Sequence, residues 1–262
     1  MNVIVLLKQV PDTESIIEIA DDGASIKTED VKWVVNPYDE LAVEEALQVV
    51  EKNGEGQVTV LSAGIKQAET AIRSALAMGA HEGILIEDER LERADTTATG
   101  QVLAAALKKI PHDLIIAGQR AVDGDNYLVP AIVAESLDLP ILPVIIKESI
   151  ADGKITCEQV IQGGTMVVEA DLPAVITTQR GLNEPRYASM PKIMKAKKKK
   201  IASLSLDEIG ITDDSLFSNP KIRVESLQVP QKSRAGIIVE GGTPAEKADN
   251  LLRHLREDAQ VI

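Results

Sequence analysis

Aromatic side chains are scarce, with one Trp, three Tyr and one Phe in 262 residues. The core must therefore be built from Val, Ile, Leu, Ala and Met. A groove that binds single-stranded nucleic acid by base stacking would lack its platforms. Cysteine is scarcer still. The single Cys157 excludes a disulfide within the chain, and its alternating apolar–polar surroundings mark it as a buried thiol rather than a nucleophile. Positive charge is also short: the formal net charge is −13, which would repel a phosphate backbone. No apolar run approaches the length of a membrane span, so no membrane insertion is expected. No charged and apolar leader precedes the first strand-like run at residues 3–7. The expected location is a prokaryotic cytoplasm, or an organelle matrix after loss of a presequence.

Signatures of chemistry are missing as well. His81, His112 and His254 share no metal-ligand spacing. Gly-x-Ser-x-Gly, Walker A and Gly-x-Gly-x-x-Gly patterns do not occur. No catalytic residue and no metal ligand stands out.

What is present is ordered. Short, wholly apolar runs at residues 3–7, 58–61, 84–86 and 114–117 suit strands buried on both faces of a parallel sheet. Amphipathic helical spacing fills residues 39–52, 66–78, 96–110 and 126–137 between and after them. Gly79 and Pro111 act as stops, and Pro130 lies early enough for a first turn. This alternation predicts an α/β fold with a doubly wound, mostly parallel sheet. After Pro140, extended runs at 144–149, 155–161 and 166–170 are separated by turn residues, which predicts an antiparallel hairpin or meander. Residues 174–178 form one further strand. From residue 181 the periodicity fades until a last helix at 243–258, opened by Thr243, Pro244 and Glu246 as a capping box. The reading is a body over residues 1–180, a segment over 181–202 and a long C-terminal arm over 203–262.

Two loops and one charged stretch invite a functional reading. Ser62-Ala63-Gly64 is either a tight βα turn or a backbone contact to a nucleotide at a strand's carboxyl end. In Gly118-Gln119-Arg120-Ala121-Val122-Asp123-Gly124-Asp125-Asn126, backbone N–H groups at a helix start suit a phosphate. Asp123 or Asp125 either caps that helix or accepts a hydrogen bond from a sugar or adenine. Asp95 reads first as the N-cap of the helix opened by Thr96 and Thr97, and that hydroxyl-rich turn is a phosphate contact second. The run Lys192-Ile193-Met194-Lys195-Ala196-Lys197-Lys198-Lys199-Lys200 is a basic island in an acidic chain. It is either a solvated stretch or a docking segment, with Met190, Ile193 and Met194 as adaptable apolar contacts and the lysines steering an acidic partner.

The stretch Gly181-Leu182-Asn183-Glu184-Pro185-Arg186-Tyr187-Ala188-Ser189-Met190-Pro191-Lys192-Ile193-Met194-Lys195-Ala196-Lys197 closely resembles the signature region of electron-transfer flavoprotein β subunits. Lys8-Gln9-Val10-Pro11-Asp12, Asn36-Pro37-Tyr38-Asp39-Glu40, Ala75-Leu76-Ala77-Met78-Gly79-Ala80, Gly163-Gly164 and Leu172-Pro173-Ala174-Val175-Ile176-Thr177 look like further landmarks in family order. The resemblance spans essentially the whole chain. It implies an adenine-nucleotide α-hydrolase-like fold and a heterodimer whose α subunit holds most of the FAD. It further implies electron delivery from acyl-CoA or related dehydrogenases to a quinone reductase. By similarity, Tyr38 and Thr13 sit where the β subunit approaches the flavin of α. Leu6, Asn36, Ala63 and the segment Arg120, Ala121, Val122, Asp123, Gly124, Asp125, Asn126, Tyr127, Leu128, Val129, Pro130 and Ala131 match positions lining an AMP site. Met190 matches the apolar anchor for the partner dehydrogenase, Lys195 and Lys198 match lysines of the same recognition loop, and the arm should reach over α.

The chain departs from the family pattern in one place. Leu128-Val129-Pro130 stands where most members have Gln-Thr-Gly or Gln-Val-Gly, which removes hydroxyl and amide contacts to phosphate and leaves backbone N–H groups. In addition, Ala94-Asp95-Thr96-Thr97-Ala98-Thr99 with Asp123-Gly124-Asp125 resembles electron-bifurcating relatives, whose β subunit carries a second FAD. Three occupants therefore stay open for this chain: AMP, a second FAD contacted by Thr96 and Thr97, or none.

Overall fold

The computed structural model describes residues 1–230 and 236–262. Residues 231–235 of the expected arm lie outside the described residues. The elements in order are β1 (Asn2–Leu6), β2 (Gln9–Pro11), β3 (Trp33–Val35), α1 (Pro37–Asn53), β4 (Gln57–Gly64), α2 (Glu69–Met78) and β5 (Glu82–Glu87). Next come α3 (Thr96–Leu107), β6 (Leu114–Gly118), α4 (Val129–Leu137), β7 (Ile141–Ala151), β8 (Lys154–Ile161), β9 (Gly164–Asp171) and β10 (Ala174–Thr178). The chain closes with α5 (Met190–Lys198), β11 (Ala202–Leu204), α6 (Ser215–Ser218) and α7 (Pro244–Arg253).

Nine of these strands form one sheet in the order β11-β5-β4-β1-β6-β10-β7-β8-β9, parallel from β11 to β7 and antiparallel beyond it. The unalternating runs are explained by burial on both faces. Val3, Val5 and Ile116 pack with Val43 and Leu47 of α1 and Ile72 of α2. Ile4, Leu6 and Ile115 face the other way, against Val102 and Leu103 of α3 and Val133 of α4. Burial of each such side chain contributes about 1.5–3 kcal/mol. Helix α1 starts at Pro37 with Asp39 and Glu40 in its first turn, where acidic groups suit the helix dipole, and Gly54 ends it in the left-handed conformation.

The chain builds outward from β1 through β4 to β5, then returns across the sheet to place β6 on the other side of β1. Strand order thus reverses at β1. Open α/β sheets bind ligands at the carboxyl ends of the strands flanking such a reversal.

Beyond β10 the sheet becomes the expected antiparallel meander. Asp152 and Gly153 both have positive φ, as a tight hairpin turn between β7 and β8 requires. Cys157 on β8 is buried, and burial pushes its thiol up to about 12, with Glu148 and Glu45 adding to the rise. β9 is an edge strand on which Met166 and Val167 are exposed, beside exposed Val160 and Ile161 of β8.

Three expectations need correction. The compact unit runs over Met1–Ser226, so a body ending near 180 is too short: β11 pairs with β5 at the far sheet edge. The basic island is helical over Met190–Lys198, because Ser189 is extended at its start, Pro191 sits in the first turn and Ala196 is buried. Helix α4 begins at Val129 rather than at residue 126, since Tyr127 takes a left-handed φ of 58° that no α-helix accommodates.

The second unit is Leu227–Ile262. Its helix α7 carries the expected capping box, with the Glu246 N–H donating to Thr243 Oγ1 at 3.2 Å and the Thr243 N–H donating to Glu246 Oε2 at 3.2 Å. The helical turns continue through residues 254–258 in the wider π form. No described residue of this unit is buried, and Ile237, Ile238, Leu251 and Leu252 are exposed.

Candidate functional site

At the strand-order reversal lies a cleft of about 140 Å³, floored by the ends of β1, β4 and β6 through Leu6, Ala63, Ala117 and Gly118. The loop between β6 and α4 forms its wall with Arg120, Ala121, Gly124, Asn126 and Tyr127. Leu128, Val129 and Pro130 complete that wall, and Thr96 and Thr99 of α3 face it.

Buried polar groups hold this floor. Asp39, in the first turn of α1, accepts from the Lys8 N–H at 2.7 Å, the Gly118 N–H at 3.1 Å and Asn36 Nδ2 at 2.9 Å. Burial pushes its carboxyl up to about 7, against the pull of those donors and the Lys8 charge. Asn36 also donates to the Arg120 carbonyl at 2.9 Å and accepts from the Val122 N–H at 3.2 Å, which pins the loop to the start of α1. Gly118 is required by space: a Cβ there would lie 2.3 Å from Asp39 Oδ1 and 2.7 Å from Tyr38 Cβ.

Arg120 organises the wall. It pairs with Asp125, donates to the Tyr38 hydroxyl at 3.1 Å, and lies 5.2 Å over the Tyr38 ring and 5.6 Å over the Tyr127 ring. Its hydrogen bond with Tyr38 holds the phenol below its ordinary pKa. Arg120 Nε is buried and has no hydrogen-bond partner, so the cleft wall contains an unsatisfied charged donor. Two contacts tie the loop to its surroundings: Lys8 Nζ to Asp123 at 2.7 Å, and Asn126 Nδ2 to Thr96 Oγ1 at 2.6 Å.

The structure thus brings Leu6, Asn36, Ala63, Thr96, Arg120, Ala121, Gly124, Asn126, Tyr127, Leu128, Val129 and Pro130 to one cleft. It leaves Val122, Asp123, Asp125 and Ala131 out of the lining. Asp123 and Asp125 do not cap α4, because each is engaged by a cation. Thr97 faces a separate groove with Asp95, Gln101 and Lys221, and Asp95 caps α3 by accepting from the Ala98 N–H at 2.7 Å. Tyr38 is buried beneath Arg120 and Arg180, while Thr13 is exposed beyond β2. Ser62-Ala63-Gly64 is the end of β4 rather than a turn. Gln119 of the Gly118–Asn126 loop also lines the cleft, as do Asp39 and Lys8, which were not expected there from sequence; an acidic residue one turn after a strand end, behind Pro37, was the available signal.

On α5, Met190 and Met194 are exposed at 70% and 52%, and Lys195 and Lys198 are exposed with them. Ile193 departs from that set: it is half-buried and packs against the body. The segment leading into α5 is tied to α1 by Arg186. Its guanidinium donates to both Glu44 oxygens at 2.8 and 3.0 Å and to both Glu51 oxygens at 2.6 and 3.0 Å.

These features define a doubly wound α/β protein with a cleft at its strand-order reversal and an exposed methionine-bearing helix. Residues 24–209 match the family described as the electron transfer flavoprotein domain. The chain is 39% identical over 268 residues to the electron transfer flavoprotein subunit beta of Bacillus subtilis, covering 100% of both chains. It is 44% identical over 220 residues to the subunit of the same name from Mycobacterium bovis, covering 82% of this chain and 83% of the other. It is also 35% identical over 260 residues to the caffeyl-CoA reductase-Etf complex subunit CarD of Acetobacterium woodii, covering 98% of each. The chain belongs to the electron transfer flavoprotein β-subunit family. Membership brings electron transfer, association with flavin and pairing with an α subunit. Among the described residues no helix is long and apolar enough to cross a membrane.

Proposed function

We propose that this chain, with its α subunit, carries electrons from acyl-CoA-type dehydrogenases to a quinone reductase, and that its own cleft holds AMP. FAD, held mainly by α, supplies the redox chemistry when bound. This chain's part is to bind, position and dock. The observation that carries the reading is the cleft itself. It is bridged by the Asn126–Thr96 hydrogen bond, and Thr97 lies outside it. That arrangement favours a mononucleotide over a second FAD. Arg120 Nε supplies an unsatisfied donor, and the Val129 and Ala131 N–H groups stand at the uncapped start of α4, where a phosphate is favoured. Pro130 has no N–H, so fewer donors serve the phosphate than in the usual family pattern. The second-FAD reading rests on Thr96 and Asn126, whose polar groups would have to part to admit the larger cofactor.

Toward the flavin of α, the chain offers Tyr38 covered by two guanidinium groups. Arg180, exposed and 6.0 Å over the Tyr38 ring, is its outward cation there.

Partner docking is assigned to α5. Met190 and Met194 form an adaptable apolar pair, with Lys195 and Lys198 beside them to steer an acidic surface. Met190→Ala in the heterodimer is expected to slow electron exchange with an acyl-CoA dehydrogenase about tenfold, the effect of losing about 1.4 kcal/mol at one buried contact. Flavin content should not change. Equal rates for the two proteins would remove the docking role.

Pairing with α is assigned to the meander edge and to Leu227–Ile262, which expose apolar groups and in the second case bury none of their own. Val167→Asp places a charge on the exposed face of β9, so it should weaken α–β association at least tenfold in sedimentation analysis without unfolding the chain. Undiminished association would place the interface elsewhere.

A further inference from the structure

Helix α5 has little of its own to hold it. At 9 residues it is shorter than the roughly 12–15 at which an isolated helix is even marginal in water. Ala196 is its one buried residue, and Ile193 is half-buried. Its last turn also lacks the usual stop. No glycine follows, and Lys199 at the C-cap is extended, with φ −72° and ψ 133°, so no left-handed turn folds back onto the terminal carbonyls.

Those carbonyls are met from another helix. Arg73 of α2 donates through Nη1 to the carbonyls of Ala196 at 3.1 Å, Lys197 at 3.2 Å and Lys199 at 3.1 Å. A cation is favoured there because the carboxyl end of a helix carries the negative pole of its dipole. Glu69, one turn earlier on α2, accepts from Arg73 Nη2 at 3.4 Å and steadies the guanidinium. The contact is reciprocal: Lys199 Nζ donates to the Ala80 carbonyl at 3.1 Å, just past the end of α2. Lys199 is half-buried, whereas Lys195, Lys197 and Lys198 are exposed. Burial, with the Lys195 charge beside it, pushes the Lys199 ammonium below its ordinary range, against the pull of Glu82. Each helix thus supplies a cation to the end of the other.

We propose that Arg73 and Lys199 form a latch that positions α5 for docking, a role that rests on the assignment of docking to this helix. Lys199 then belongs to the latch and not to the charged surface that meets a partner. Arg186 holds the segment ahead of α5, so opening the latch frees the far end of the helix and leaves the body folded. Met190 and Met194 ride on that helix. Opening lowers the fraction of chains whose helix is ready to dock, and apparent affinity for the partner falls by that fraction. Electron transfer within the docked complex is unchanged.

The test uses the full heterodimer carrying Arg73→Ala, Arg73→Lys, Lys199→Met or Lys198→Ala. Two quantities are measured: hydrogen exchange of the amides of residues 193–199, and electron transfer with an acyl-CoA dehydrogenase, with KM for the heterodimer separated from the limiting rate. Arg73→Ala should speed the hydrogen exchange about tenfold or more. It should raise KM about fivefold or more and leave the limiting rate within about twofold. Arg73→Lys keeps the charge without the planar fork and should recover part of both effects. Lys199→Met should shift both in the same direction by less. Lys198→Ala should reduce the salt dependence of association and leave the hydrogen exchange as it is. Unaltered hydrogen exchange in both Arg73→Ala and Lys199→Met overturns the latch. Faster hydrogen exchange with an unaltered KM, in a system where Met190→Ala does slow transfer, overturns its positioning role. A Lys199→Met protein that behaves as Lys198→Ala does returns Lys199 to the charged surface and overturns its place in the latch. Unaltered transfer in Met190→Ala would instead sink the docking assignment, and the positioning role with it.

Discussion

Asp39→Ala is expected to destabilise the full chain by about 2–4 kcal/mol in urea unfolding. The carboxylate accepts from the N–H groups of Lys8 and Gly118 and from the amide of Asn36, all at the floor of the cleft. Asn36 keeps the Arg120 carbonyl as a partner. The two backbone donors lose theirs, at about 1–3 kcal/mol each when buried. Removal of an enclosed charge offsets part of that loss. Asp39→Asn is the informative companion. All three neighbours are donors, so an amide must turn its own NH2 against one of them, and Asn should recover less than half of the stability. A near-neutral Asn variant would mean that residue 39 is held protonated in the fold. Because Asn36 and Gly118 also position Arg120, both variants should release bound nucleotide faster.

Arg186→Ala is the second large effect, about 2–3 kcal/mol. Breaking a buried ion pair costs about 3–5 kcal/mol because the remaining charge is stranded. The figure is reduced here because the Arg186 side chain is 29% exposed and water reaches the site, whereas Glu44 is only 5% exposed. Glu44 would keep a single side-chain donor, Gln48 Nε2 at 2.9 Å. Arg186→Lys restores charge without the two-pronged geometry and should recover less than half. The local consequence is the sharper readout. Trypsin should cut among Lys192, Lys195, Lys197 and Lys198 at least tenfold faster in Arg186→Ala, because α5 is held on the body through this clamp. Unaltered cleavage would show that Ala196 and Ile193 packing suffices.

How much of this was legible depends on range. The central strands could be read because residues 3–7, 58–61 and 114–117 are apolar without alternation, which burial on both faces demands. The capping box at Thr243 could be read because its chemistry is complete within four residues. β11 could not: Ala202 and Ser203 are exposed on an edge, so no hydrophobic pattern marks them. α5 was hidden by its lysines, which conceal the one buried position, Ala196. The lining of the cleft was legible largely through family resemblance, and the hydrogen bonds that hold its floor were not. The Lys8–Asp123 pair and the bond from the Gly118 N–H to Asp39 join positions 115 and 79 residues apart, and only the fold brings them together.

The central claim is that this chain's cleft serves a mononucleotide while the redox flavin belongs to α. It is tested most directly by purifying the heterodimer, releasing its cofactors and counting them per heterodimer. One FAD and one AMP is the predicted result. Two FAD, or one FAD with no AMP, would contradict it.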